Sequence, residues 1–243
     1  MRILGIIPAR YASTRFPAKA LTDIGGKSMV SRVYEQAKKA QSLTKVIVAT
    51  DHPLIHEHVK KFGEVVMTNE NHPSGTDRCY ETLQKLNERF DFVINIQGDE
   101  PFIKPEQIDL LASSLSPEIE LATLAKKIED QDSLFNPNNV RVILNKHFEA
   151  IYFSRQAIPY IRSAPKEDWL KHHTFYKHIG IYAYRTDVLE KITKLAPSSL
   201  EKAESLEQLR WIENGYKIKV TLTEFETVGI DTPEDLEKIK HLL

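Results

Sequence analysis

The 243-residue chain is 41% hydrophobic and 28% charged, the composition of an ordinary globular domain. Lys+Arg 33 against Asp+Glu 34 leaves a formal charge of -1, which excludes the basic excess of a dedicated nucleic-acid binder. No apolar run approaches the roughly 20 residues that a membrane helix needs.

The N-terminal "MRILGIIPAR" pairs a basic residue with an apolar run, as a secretion signal does. The run is too short and lacks a small-residue cleavage site, so "RILGIIP" is expected to be a buried first strand. A loop carrying Arg10, Arg15 and Lys19 follows, with no acid before Asp23. In "KSMVSRVYEQAKKA", Met29, Val30, Val33, Tyr34 and Ala37 share one helical face. Next come strand "KVIVATD", helix "PLIHEHVKKF" and the short strand "EVVMT". The helix "SGTDRCYETLQKLNERF" opens with Ser74 three residues before Asp77, a capping-box arrangement. It contains the single cysteine, Cys79, expected to be a small buried hydrophobe. One cysteine precludes an internal disulfide and points to a reducing cytoplasm. Strand "DFVINIQGD" follows, and Pro105 begins helix "PEQIDLLASSL".

Strands separated by helices predict right-handed βαβ units, and so an α/β fold with a mostly parallel central sheet. The second half is less regular. "LATLAKKI", "VRVILN", "AIYFSR" and "HIGIYAYR" read as strands, and the polar, aromatic stretch from Ile158 to Tyr176 as an arm or flap. Helices "DVLEKITKL" and "SLEQLRWIENG", strand "KIKVTLT" and helix "PEDLEKIKHLL" complete the chain. No linker separates a second domain. The expectation is one domain, 1–243, with an antiparallel insertion at about 120–185.

Ligands of open parallel sheets bind beyond the carboxyl ends of the strands. Three loops leave such ends: Ala9–Lys19, Ser74–Arg78 and Gln97–Glu100. The first holds small residues Ala9, Ala12, Ser13 and Ala18 among three cations, which suits phosphate oxygens. It is neither a Walker loop nor G-x-G-x-x-G. Asp99, after Gly98 at a strand end, suits Mg2+, which takes one or two carboxylates and completes its shell with water and phosphate oxygens. Asp231 in "GIDTPEDL" is the candidate second carboxylate, or else simply a helix-start acid. His52, His56 and His58 lack the H-E-x-x-H order and read as a solvated helix face. His178 starts an alternating strand with Tyr182 and Tyr184, which leaves core and ligand roles both open. No G-x-S-x-G elbow or Cys–His nucleophile pattern occurs.

Taken together, "IPARYASTRFPAKAL", "VATD", "SGTDR", "NIQGDEP", "YFSRQAIPYIR", "KHIGIYAYR", "SLEQLR" and "DTPEDL" resemble the 3-deoxy-manno-octulosonate cytidylyltransferases, in order, from Ile3 to about Leu236. "PAR…K" is shared with other cytidylyltransferases, whereas "SGTDR", "QGDEP", "YFSR" and "LEQLR" point jointly to this branch. The resemblance implies a Rossmann-like fold with helices on both sheet faces, an inserted dimerisation element and a homodimer. It implies Mg2+-dependent transfer of CMP from CTP to the anomeric hydroxyl of 3-deoxy-D-manno-octulosonate (Kdo), for lipopolysaccharide assembly.

By the same resemblance, Arg10, Lys19, Asp99 and Asp231 are catalytic, the two aspartates binding metal. CTP would be held by Pro8, Ala9, Arg10, Ser13, Lys19, Ser74, Gly75, Arg78 and Gln97, with Arg15 a lesser candidate. The sugar would meet Gln97, Arg155, Arg162, His178, Tyr182, Glu207 and Gln208. Three departures stand out: Ala18 where the family commonly has glycine, Ala20 where it has proline, and Ser28 where it has proline. Alanine at 18 is strained if that position needs positive φ. The alternatives are the same reaction on 8-amino-Kdo or a nonulosonic acid, or a nonenzymatic nucleotide-binding module.

Overall fold

A computed structural model describes residues 1–12, 16–226, 229–230 and 232–238. In chain order the elements are β1 (Ile3–Ala9), a 3-10 turn (Lys19–Leu21), α1 (Met29–Ala37), β2 (Lys45–Thr50), α2 (Pro53–Val59), β3 (Val65–Met67), α3 (Gly75–Lys85), β4 (Phe92–Asn95) and α4 (Pro105–Ser113). Then follow β5 (Leu121–Lys127), α5 (Gln131–Phe135), β6 (Arg141–Leu144), β7 (Ala150–Ser154), α6 (Trp169–His172), β8 (Tyr176–Arg185), α7 (Thr186–Ile192), α8 (Ser199–Glu204), α9 (Gln208–Glu213), β9 (Ile218–Leu222) and α10 (Pro233–Lys238). Contacts group these into two units: Met1–Ser113 with Ala183–Thr193 and Thr227–Leu243, and Ser114–Tyr182 with Lys194–Glu226.

In the first unit the strand order is β3-β2-β1-β4, and β1–β2, β1–β4 and β2–β3 are all parallel. β1 and β4 are apolar along nearly their whole length because helices flank the sheet and leave no wet face. The amphipathic α1 seats Met29, Val30, Val33, Tyr34 and Ala37 against β1 and β2. Ser28 caps it, accepting the Ser31 N–H at 3.3 Å, so the serine in place of proline does act at a helix start. Cys79 is fully buried, as expected. A smaller cluster joins Ile24, Met29 and Ile230.

The histidines of α2 are more than a solvated face. His52 caps the helix, its Nδ1 accepting the Leu54 N–H, and stacks on Tyr11; His58 bonds Ser28 Oγ at 2.7 Å.

In the second unit β5 lies between β8 and β9, with β6 paired to β7 and to β8. β6–β7 and β6–β8 are antiparallel, whereas β5–β9 is parallel. The stretch read as a flap has its own core: Trp169 and Phe175 are buried with Ile128 and Leu134. Arg141 is fully buried and pins neighbouring loops, donating to the carbonyls of Leu134, Asn139 and Arg155. Among the described residues, no helix is long and apolar enough to cross a membrane.

Candidate active site

β1 leads through α1 to β2 on one side, and β4 pairs with β1 on the other. The crevice past the carboxyl ends of β1 and β4 is therefore the switch point of this parallel sheet, where ligands of such sheets sit. A cleft of about 430 Å³ opens there. Its lining comes from the end of β1 (Pro8, Ala9, Arg10), the 3-10 turn (Lys19, Ala20), the start of α3 (His72, Pro73, Ser74, Gly75, Arg78) and the end of β4 (Gln97, Gly98, Asp99).

Close backbone approach shapes the floor. A β-carbon on Gly98 would stand 2.5 Å from the Pro8 carbonyl oxygen, so only glycine lets the β1 and β4 ends meet there. Above them, the Ala18 N–H donates to the Tyr11 carbonyl at 3.1 Å and the Ala18 carbonyl accepts the Leu21 N–H at 2.8 Å. These bonds hold Ala18 at φ 54, ψ 24, the left-handed region. The position needs the conformation that glycine adopts freely, and alanine there carries the strain. Ala18→Gly is expected to stabilise the protein by about 0.5–1 kcal/mol, the relieved strain exceeding the extra unfolded-state entropy. Urea titration checks this, and a loss of stability would remove the strain argument.

The 3-10 turn carries Lys19 inward, and its Nζ meets Asp99 Oδ2 at 2.8 Å. The Asp99 carbonyl accepts the Ile230 N–H at 3.0 Å. Asp231 itself lies outside the described residues, as do Ser13 and Arg15. Arg10 is exposed at the mouth. Ser74 caps α3, accepting the Asp77 N–H at 3.2 Å and donating to Asp77 Oδ2 at 2.6 Å. The positive end of α3 thus adds to Lys19 and Arg10 in a cleft that favours an anion.

Arg78 lines the same cleft, and its guanidinium is bonded to neighbouring protein groups. It is 3% exposed and donates to Asp51 Oδ2 at 2.9 Å, to the Asn69 carbonyl at 3.3 Å and to Thr68 Oγ1. His72 pairs through Nε2 with Glu81. Burial opposes the charge on Glu81, yet hydrogen bonds from Lys85, the Asn69 N–H and His72 hold its pKa down to about 2. Asp51 and His72 had no role in the sequence reading, although Asp51 sits at a strand's carboxyl end, where such residues are found.

Of the residues read as sugar-binding, Gln97 is in this cleft and the other six belong to the second unit. Within that unit, His178 and Tyr182 have ring centroids 5.2 Å apart, and Tyr182 meets Trp211 of α9 edge-on at 5.1 Å. Glu207 and Gln208 open the same helix. His178 Nε2 lies 3.0 Å from Thr123 Oγ1 beside the Phe153 ring, and burial pushes its pKa down to about 3. The imidazole is neutral, so it can hydrogen-bond but brings no charge. Arg155 donates from Nε to the Glu204 carbonyl at 2.9 Å and from its other nitrogens towards the Pro137 and Ser205 carbonyls. Arg162 is exposed on the segment before α6.

Asp99 is the one carboxylate among the described lining residues. It is 31% exposed, with its oxygens at the cleft. A hard oxygen donor beside room for phosphates fits Mg2+, which needs few protein ligands.

Comparison with known proteins gives these features a context. Residues 4–218 match the family model described as cytidylyltransferase. A 3-deoxy-manno-octulosonate cytidylyltransferase of Cytophaga hutchinsonii is 61% identical over 98% of this chain and 96% of its own length. One from Parabacteroides distasonis is 59% identical over 98% and 96%. A solved CMP:2-keto-3-deoxy-manno-octonic acid synthetase complexed with CTP superposes with a TM-score of 0.92 at 41% identity, covering 100% of this chain and 98% of that one. With its cationic switch-point cleft and this likeness along its whole length, the chain belongs to the cytidylyltransferase family, in the 3-deoxy-manno-octulosonate branch.

Proposed function

We propose that the protein transfers CMP from CTP to the anomeric hydroxyl of Kdo, releasing pyrophosphate, and that the CMP-Kdo formed serves lipopolysaccharide assembly. The observation that carries this reading is the cleft in which Lys19, Arg10 and the start of α3 face Asp99 at the switch point, in a chain so similar to a CTP-complexed synthetase.

The anomeric oxygen forms a bond to the α-phosphorus of CTP as the bond from that phosphorus to the bridging oxygen breaks. The hydroxyl proton passes to solvent and the electron pair leaves with pyrophosphate. Such transfers depend on positioning and on stabilising spread negative charge. Lys19 supplies a compact cation over the triphosphate, Arg10 a second at the mouth, and the N-terminal amides of α3 a third positive element. Asp99, with Asp231, would hold Mg2+, which when bound supplies Lewis-acid neutralisation of phosphate oxygens. Gln97, which lines the cleft, would offer the sugar a hydrogen bond, and so would His178, Tyr182, Glu207 and Gln208 of the second unit. Arg155 and Arg162 are the cations available for the sugar carboxylate. A homodimer and a cytoplasmic location complete the proposal, the latter because Cys79 has no disulfide partner in the sequence.

A pyrophosphate-release assay with CTP, with and without Mg2+, against Kdo, 8-amino-Kdo and a nonulosonic acid tests the reading. Kdo should react at least about tenfold more efficiently than either competitor, and only with the metal. An equal or faster rate on another sugar overturns the substrate. CTP binding without turnover on any sugar favours a binding module.

A further inference from the structure

We infer that Asp51 is a positioning residue for the nucleotide, with Arg78 acting as its buried counterion. The inference rests on the reading of the cleft as the CTP site. Asp51 follows β2 at its carboxyl end, and both of its oxygens are committed. Oδ1 accepts the Tyr11 N–H at 3.0 Å and Oδ2 accepts from Arg78 at 2.9 Å. The pair is dry, with side chains 9% and 4% exposed.

Tyr11 ties the end of β1 to the residue before the 3-10 turn. Its N–H goes to Asp51, its carbonyl to the Ala18 N–H, and its ring stacks on His52 at 3.8 Å and 14°. One neighbour along the chain is Arg10; the Ala18 at the other end of the tie precedes Lys19. Through Arg78, the same carboxylate is fastened to the first turn of α3, where Ser74 and Gly75 line the cleft. Asp51 therefore couples two cleft walls that meet in no regular element. The Nη atoms of Arg78 donate to Asp51, Thr68 and Asn69. These bonds give its place in the motif a structural reason of their own. Removing either member would strand the other's charge in a dry site.

A side chain that only supported the fold would alter stability and leave kinetic constants of the folded fraction alone. Asp51→Ala and Asp51→Asn separate the cases. Asparagine keeps an oxygen for the Tyr11 N–H and loses the charge facing Arg78; alanine loses both. Steady-state kinetics on the full chain, at a temperature where circular dichroism shows each variant folded, should give a KM for CTP raised about tenfold in Asp51→Ala. Asp51→Asn should fall between it and the unmodified protein, and the KM for the sugar should hold in both. If the alanine variant does not fold, the asparagine variant decides: a rise in KM for CTP of about threefold or more supports the inference, and any smaller change overturns it. Lys19→Ala, measured alongside, distinguishes the failures. An unaltered Lys19→Ala enzyme sinks the cleft reading itself, whereas an impaired one beside unaltered Asp51 variants sinks only the inference.

Discussion

Asp99→Asn is expected to lower turnover by roughly two to three orders of magnitude while leaving the protein folded. The carboxylate stands at the end of β4 with 31% of its side chain exposed, so it contributes little to the core. What fixes the residue in place is its carbonyl, which accepts the Ile230 N–H, and asparagine keeps that bond. The substitution removes the one anionic ligand that the described cleft offers a divalent cation. Its pair with Lys19 is partly wet, and such pairs add little to stability. The unfolding midpoint should move by no more than a few degrees. Pyrophosphate release under saturating substrates, with thermal melting on the same samples, checks both halves. Near-normal turnover would contradict the assignment of Asp99 to the metal.

Lys19→Ala should lower turnover by about a hundredfold, because it withdraws a preorganised charge from where negative charge gathers. Its side chain is 15% exposed and its ammonium meets Asp99 in the cleft lining. Partial burial makes its field stronger than that of a fully exposed surface lysine. Lys19→Arg should recover only part of the rate, since a planar fork does not reproduce a compact charge at one point. An unchanged rate in Lys19→Ala would remove the residue from the catalytic group.

The first half of the chain was legible because its signals are local. Four apolar runs alternating with helical patterns dictate parallel strands, and the loops with chemistry fall at their carboxyl ends. Lys19, Asp99, Ser74 and Gln97 duly line one cleft. Arg78 shows where local signals end: a cation in a motif that resembles a nucleotide-binding loop is also the buried partner of a carboxylate that follows β2. That pairing joins a helix to the loop after another strand, and no periodicity announces it. Helices α5 and α8, of five and six residues, are too short to display a 3.6-residue period. Nor does a run of apolar residues say which way its neighbour runs, so the parallel pairing of β5 with β9 was invisible. Ala18 is the converse case. One letter raised the question, since alanine stands where the family commonly has glycine, but only the φ of 54 at that residue answers it.

The tie between Ile230 and the Asp99 carbonyl bears on synthesis at the ribosome. Translation is vectorial, and Ile24, Met29 and Asp99 emerge well before their partner Ile230 does. Until then a nascent chain presents an uncovered apolar seat beside its principal acid, a state inviting chaperones rather than substrates. The enzyme's cleft is thus completed only once the chain has run on as far as Ile230.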